Sequence, residues 1–153
     1  MDTKPLKRHQ ALQSLSREHH HGLLLCRKIR EGFRHNIPAG RIKKYADWFW
    51  ENHLTAHFET EEKYLFPVLP AGSSLVKKAL AQHRRLRRLF AEARETSRAL
   101  HLIEEELEEH IRFEERILFN EVQQLATPEQ LQQIAAQHSS EFCDDWSDEF
   151  WKK

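Results

Sequence analysis

The chain has 153 residues, with 24 lysines and arginines against 24 aspartates and glutamates, so its formal net charge is zero with histidine neutral. That length suits one domain with a core able to fold alone. The balanced charge excludes the basic field of a nucleic-acid binder, and no apolar run is long enough to span a bilayer.

Residues 1–10 are polar and basic, unlike a signal segment. Glycine is scarce, while Leu, Glu, Gln, Arg and Lys abound, which favours helix over sheet. The first apolar stripe runs Leu12, Leu15, His19, Leu23, Cys26, Ile29, Phe33, at helical spacings of three and four. Cys26 sits among apolar residues and is expected to be an inert core thiol. Asn36-Ile37-Pro38-Ala39-Gly40 breaks this run. A second stripe follows: Trp50, Leu54, His57, Glu61, Tyr64, Leu65, Val68. Pro67 and the cluster Pro70-Ala71-Gly72-Ser73-Ser74 end it, with Ser73 or Ser74 as the next N-cap. The third stripe is Val76, Ala79, Leu80, His83, Leu86, Phe90. Thr96-Ser97 is a weaker break. The fourth stripe is Leu100, Ile103, Leu107, His110, Glu114, Ile117, with Val122 and Leu125 beyond. Thr127-Pro128-Glu129-Gln130 opens a fifth helix, with Thr as N-cap, Pro at N1 and Gln at N3. Residues 141–153 mix acids with Trp146, Phe150 and Trp151, and are expected to pack on the bundle or fray. Cys143 is far from Cys26, and the two form no CxxC; one disulfide is the alternative, and a reduced cytosolic pair is expected.

The expected fold class is all-α, an up-down-up-down four-helix bundle with an additional C-terminal helix, because short connections favour antiparallel neighbours. In such a bundle, residues at one height are equidistant from the turn between them. The midpoint of His19 and His57 is Pro38. That of His57 and His83 is Pro70, and that of His83 and His110 falls between Thr96 and Ser97. All three lie on the expected turns, so four histidines from four helices share one level.

Two of these histidines stand four residues before a glutamate: His57 before Glu61, and His110 before Glu114. Residues four apart share a helix face, so each pair offers a nitrogen and an oxygen to one point. A polar pair on an apolar stripe is costly to bury unless something binds it. A lone buried histidine is ordinarily a satisfied core residue. Four at one level, with two paired glutamates, reverse that balance. The inward set is His19, His57, Glu61, His83, His110 and Glu114. Nitrogen and oxygen donors without thiolate suit iron, manganese or zinc. Two carboxylates on different helices can bridge two metals, each taking two histidines, with an open position and room for an oxo or hydroxo bridge. Redox-active iron is the first expectation, which makes two non-haem, carboxylate-bridged iron ions the expected cofactor.

His19, His20 and His21 point about 100° apart on a helix. Only His19 continues the stripe; His20 is the alternative ligand, and His21 is expected outward. Glu62 and Glu115 are read as outward or as neighbours of the ligands, and His53 as a neighbour or surface residue. Tyr64 reads as a packed aromatic. The run Arg84-Arg85-Leu86-Arg87-Arg88 reads as a solvated face, with Glu92 and Glu95 as partners. The acidic aromatic tail has two candidate docks, the basic N-terminus (Lys4, Lys7, Arg8) and a separate partner.

The segments REHHHGLLL, HFETEEKYLFP, QHRRL and HIRFEERILF resemble the four helices of a hemerythrin-like, or HHE cation-binding, domain over roughly residues 10–125. The resemblance implies residues 1–126 as the bundle, and residues 127–153 are expected as a helix and tail packed on the same domain. It also implies a non-haem diiron centre. Oxygen-carrying hemerythrins are less similar. They carry HxxxH on the third helix, where Arg87 stands four after His83, and HxxxxD on the fourth, where Glu114 follows His110. One histidine fewer leaves a more open iron, which fits sensing or binding of O2, peroxide or NO, or iron handling. The alternative is a diiron enzyme: a peroxidase, an NO reductase or an iron donor for Fe–S repair. A small diatomic or peroxide ligand is the expected partner, with no nucleic acid and no membrane. The chain is expected to be a monomer or weak homodimer, and a sensor would need a separate output partner.

Overall fold

The computed structural model of the chain describes residues 7–137 and 146–152. Lys4, Cys143 and residues 141–145 of the tail lie outside the described residues. Every regular element among the described residues is helical, and none of these helices is long and apolar enough to cross a membrane. A short tight turn, Gln10–Leu12, leads into α1, Gln13–Arg34. The second rod, α2, spans 39–68. It joins Ala39–Phe49, a wide turn at Trp50–Leu54, then Thr55–Thr60, a second wide turn at Glu61–Leu65, and a tight end at Phe66–Val68. Helix α3 is Ser74–Ala91. Rod α4 spans 96–125 and joins Thr96–Phe113, a wide turn at Glu114–Leu118, and Phe119–Leu125. Helix α5 is Pro128–Ala136.

Local chemistry sets these boundaries. After α1, Asn36 adopts φ 58°, the left-handed conformation that Asn tolerates best after Gly. The Ile37 N–H then returns to the Gly32 carbonyl at 2.9 Å, satisfying a helix-end acceptor. Ser73 caps α3, its hydroxyl accepting from the Val76 N–H. Thr127 and Gln130 cap each other reciprocally at the start of α5. The break expected at Thr96-Ser97 lies earlier, between Ala91 and Thr96. There the Glu92 carboxylate accepts from the backbone N–H groups of Arg94 and Glu95, a capping task usually given to a hydroxyl or Asx side chain. Thr96 therefore begins α4 instead of breaking the chain.

Two apolar clusters fill the interior. One contains Leu25, Cys26, Ile29, Tyr45, Phe49, Leu100, Ile103, Leu107 and Phe150. The other contains Leu12, Leu15, Leu65, Phe66, Phe113, Leu118, Phe119, Val122 and Ile134. Helix α1 packs chiefly on α4, and α3 also packs on α4. A Cβ on Gly22 of α1 would stand 2.8 Å from Ile111 Cδ1 of α4, so the small residue sets that approach. Ile134 and Phe150 tie α5 and the described tail to the same two clusters. Cys26 is buried and forms no disulfide among the described residues.

Helical period alone puts Ile117 and Leu125 inward, but they are exposed by 47% and 50%, while Leu118 and Phe119 are fully buried. For Ile117 the wide turn at Glu114–Leu118 is the cause, whereas Leu125 is the last residue of its rod. Closing bonds to the fifth residue instead of the fourth inserts one extra position, so the apolar face after Glu114 resumes one residue later. Among the described residues, the aromatic tail docks beside α1 and α2. Trp146, Phe150 and Trp151 surround Tyr45, Arg41 pairs with Asp148, and Lys28 lies over the Trp151 ring. Arg8 instead reaches α4, donating to Gln123 and to the Glu115 carbonyl.

Candidate metal centre

Six polar side chains are buried between the four rods: His19 from α1, His57 and Glu61 from α2, His83 from α3, and His110 and Glu114 from α4. Their donor atoms fall into two overlapping groups, each with its atoms within 4.8 Å of one another. One group is His19, His57, Glu61 and Glu114; the other is Glu61, His83, His110 and Glu114. Both carboxylates belong to both groups. Glu61 approaches His57 Nε2 (3.2 Å) and His19 Nε2 (3.6 Å) through Oε2, and His83 Nε2 (3.1 Å) through Oε1. Glu114 approaches His19 (2.9 Å) and His110 (3.2 Å) through Oε1, and His83 (3.8 Å) through Oε2.

Each ring is held from behind at Nδ1. His19 Nδ1 donates to Glu115 at 2.6 Å, His57 to Glu18 at 2.9 Å, His83 to Glu62 at 2.6 Å and His110 to Gln82 Oε1 at 2.6 Å. With the proton on Nδ1, a neutral ring turns its Nε2 lone pair into the cluster, the tautomer a metal needs. His83 Nε2 and His110 Nε2 then face each other at 3.2 Å. Two lone pairs at that distance repel unless a proton or a cation lies between them. His57 Nε2, both oxygens of Glu61 and Glu114 Oε2 are buried without a hydrogen-bond partner. Unpaired buried acceptors are expensive and rare. The six donors therefore fit a cation: they are acceptor-rich, share one centre, and are underprovided with protons.

Without a cation the charges settle unevenly. Burial pushes the Glu61 carboxyl well above the usual carboxylate range, and the Glu114 charge pushes it further. Burial acts the same way on Glu114, but the His110 charge and the hydrogen bonds from His110 and His19 overcome it and hold Glu114 well below that range. Burial disfavours charge on His19, yet its hydrogen bonds to Glu114 and Glu115 raise it to about 10. Burial and the adjacent His110 lower His83 to about 4. Protons on His19 and Glu61 thus carry part of the positive charge that the cluster lacks.

Phe58 lies flat on His83, with ring centroids 3.8 Å apart and 6° between planes, and Phe119 stacks on His19 at 5.0 Å. These rings wall the centre with apolar surface. His20 is exposed, which leaves His19 as the α1 residue in the cluster; His21 is half-buried with its ring against His20. His53 packs against Trp48 and Phe49, outside both donor groups. Tyr64 is half-buried under Lys63. The arginine run pairs differently from expectation: Arg85 with Glu106, and Arg87 with Glu62 at 2.9 Å. Glu92 is already engaged by backbone N–H groups. Arg87 thus stands behind the carboxylate that holds His83.

Fold and site together define an all-helical protein with a buried centre suited to a cation. The family model described as the hemerythrin HHE cation-binding domain matches residues 10–122, and the chain belongs to that family. No curated protein and no solved structure matches it.

Proposed function

We propose that the chain is a dinuclear non-haem iron protein that binds or senses O2, peroxide or NO. In this reading the rods run up-down-up-down, with the C-terminal helix and tail part of the same domain. His19 and His57 would hold one iron and His83 and His110 the other, with Glu61 and Glu114 offering an oxygen to each. One observation carries the proposal: each buried carboxylate faces histidines of both halves. A single shared ion would leave one histidine pair without a partner, whereas two ions use every donor. Nitrogen and oxygen donors without thiolate suit iron, and the family is cation-binding.

When bound, iron supplies a redox-active Lewis acid with a position open to a small ligand. The chain supplies the rest. Glu18, Glu62, Gln82 and Glu115 orient the imidazoles and fix their tautomer. Phe58 and Phe119 exclude water from two sides, which raises the effect of every charge inside. Two carboxylates offset charge that would otherwise be buried unpaired.

Anaerobic loading with ferrous iron, followed by metal analysis and near-ultraviolet spectroscopy, tests the proposal. Two irons per chain are expected, with charge-transfer absorption on oxidation that shifts when azide is added. One iron per chain, or loading undiminished by Glu61→Leu and Glu114→Leu, refutes it. Turnover of peroxide or NO with a reductant would mark an enzyme; spectral change without turnover marks a binding or sensing protein.

A further inference from the structure

The hydrogen bonds behind the cluster obey a pseudo-two-fold relation. Helices α1 and α3 each present an acceptor followed by a histidine, Glu18-His19 and Gln82-His83. Rods α2 and α4 each present a histidine with two glutamates four and five residues on: His57, Glu61, Glu62 and His110, Glu114, Glu115. Exchanging α1 with α3 and α2 with α4 turns His19–Glu115 into His83–Glu62, both 2.6 Å. It turns His57–Glu18 into His110–Gln82. The outside donors on these carboxylates differ in kind: the Ser16 hydroxyl at 2.8 Å and Arg8 at 3.5 Å on Glu115, and Arg87 at 2.9 Å on Glu62. Of the four acceptors behind the rings, one breaks the chemistry. Where the relation places a carboxylate, Gln82 offers a neutral amide oxygen.

That exchange matters at the ligand atom. A carboxylate on the Nδ1 proton draws it away and makes Nε2 a stronger donor. Such charge-assisted bonds are roughly twice as strong as neutral ones. The His19/His57 half has carboxylates behind both rings. The His83/His110 half has one. Glu115 and Glu62 each take a further donor, Ser16 at 2.8 Å on the first and Arg87 at 2.9 Å on the second, so the difference between the halves lies at Gln82.

We infer that the two cation positions are inequivalent by construction, the His19/His57 position filling first and the His83/His110 position binding the second ion more weakly because Gln82 replaces a carboxylate. The inference rests on the dinuclear reading. It makes Gln82 a positioning residue that sets the spacing between two binding steps. Loss of one outer partner typically changes metal affinity by about 10–100-fold, which sets the expected gap.

The test is a cobalt(II) titration of the full chain, followed by calorimetry and visible absorption. Wild type should show two steps separated by about 10-fold or more. Gln82→Glu should tighten the weaker step and narrow the gap. Glu18→Gln should weaken the stronger step and bring the two together from the other side. Both changes are nearly isosteric, and circular dichroism checks that the helices persist. His110→Ala should keep the tight step, and His57→Ala should lose it. Two equal steps in wild type, unmoved by Gln82→Glu, would overturn the inequivalence and leave the dinuclear reading standing. No cobalt binding at all would overturn both.

Discussion

Replacing Glu61 by glutamine should stabilise the protein without metal and abolish its stabilisation by metal. Both oxygens of Glu61 are buried with no hydrogen bond, and three imidazole Nε2 atoms surround them at 3.1, 3.2 and 3.6 Å. Glutamine keeps the shape, is neutral without taking up a proton on folding, and can donate from its amide to the His57 Nε2 lone pair. An unsatisfied buried polar group costs about 1–3 kcal/mol. Relieving it in a chain of this size raises Tm by roughly 2–12 °C. The sign follows from titration as well. Folding raises the Glu61 pKa, so its contribution to stability is present below the unfolded value near 4.5 and lost as pH rises. The substitution removes that neutral-pH loss. Wild type should gain stability with iron or cobalt, about 2.7 kcal/mol when free metal is 100 times Kd, and Glu61→Gln should gain far less. Thermal melts at pH 7.5, with chelator and with metal, read both effects. A metal-free Glu61→Gln protein that melts below wild type would refute the reasoning, because Glu61 would then be part of a satisfied polar core.

Glu114→Gln should act in the opposite direction without metal. Glu114 is held ionised by His110 and His19, so its stabilisation exists above the unfolded carboxyl pKa and is lost as pH falls; melts with chelator should show a lower Tm than wild type. His19→Ala should lose metal in elemental analysis, while His20→Ala, at an exposed position, should retain it. Burial pushes the Cys26 thiol from 9.0 to about 12, so its share of stability is intact below pH 9 and falls as pH rises towards 12. In a Cys143→Ser background, denaturation should show Cys26 contributing roughly 1 kcal/mol less at pH 10 than at pH 8, relative to Cys26→Ala. Phe150→Ala should cost about 3–5 kcal/mol in a urea melt, since the ring is buried against Tyr45 and Trp151; no change would show that the tail does not belong to the domain.

The helical class and the family were legible because three- and four-residue spacing runs through most of the chain. The six inward donors were legible because each sits on an apolar stripe, where a polar residue needs a reason. The wide turns were not. Periodicity assumes a constant 3.6 residues per turn, which places Ile117 inward and misses Phe119. The bracing role of Gln82 was hidden for a different reason. It is half-buried, flanks a histidine, and carries no charge, so nothing in its own window distinguishes it from an ordinary helix-surface glutamine. The sequence leaves Glu62 and Glu115 either outward or beside the ligands, and only the placement of α1 and α3 decides between those.

That placement explains why the glutamates are doubled. Successive residues on a helix point about 100° apart, so one of a Glu-Glu pair can face the centre while the next faces sideways to an adjacent rod. Glu61 turns inward and Glu62 holds His83 of α3; Glu114 turns inward and Glu115 holds His19 of α1. Both pairs open a wide turn, Glu61–Leu65 and Glu114–Leu118. Such a turn widens the helix locally and shifts the following residues by one position. It brings Leu65 and Leu118 into the apolar cluster directly behind the polar layer. Each rod thereby supplies a ligand face, a brace for its neighbour and a dry floor within nine residues, from His57 to Leu65 and from His110 to Leu118. Inserting a residue after Glu62 or Glu115 would keep every ligand yet rotate that floor out of register. A centre built by ligand spacing alone would tolerate the insertion; this one should lose metal, by elemental analysis, along with thermal stability.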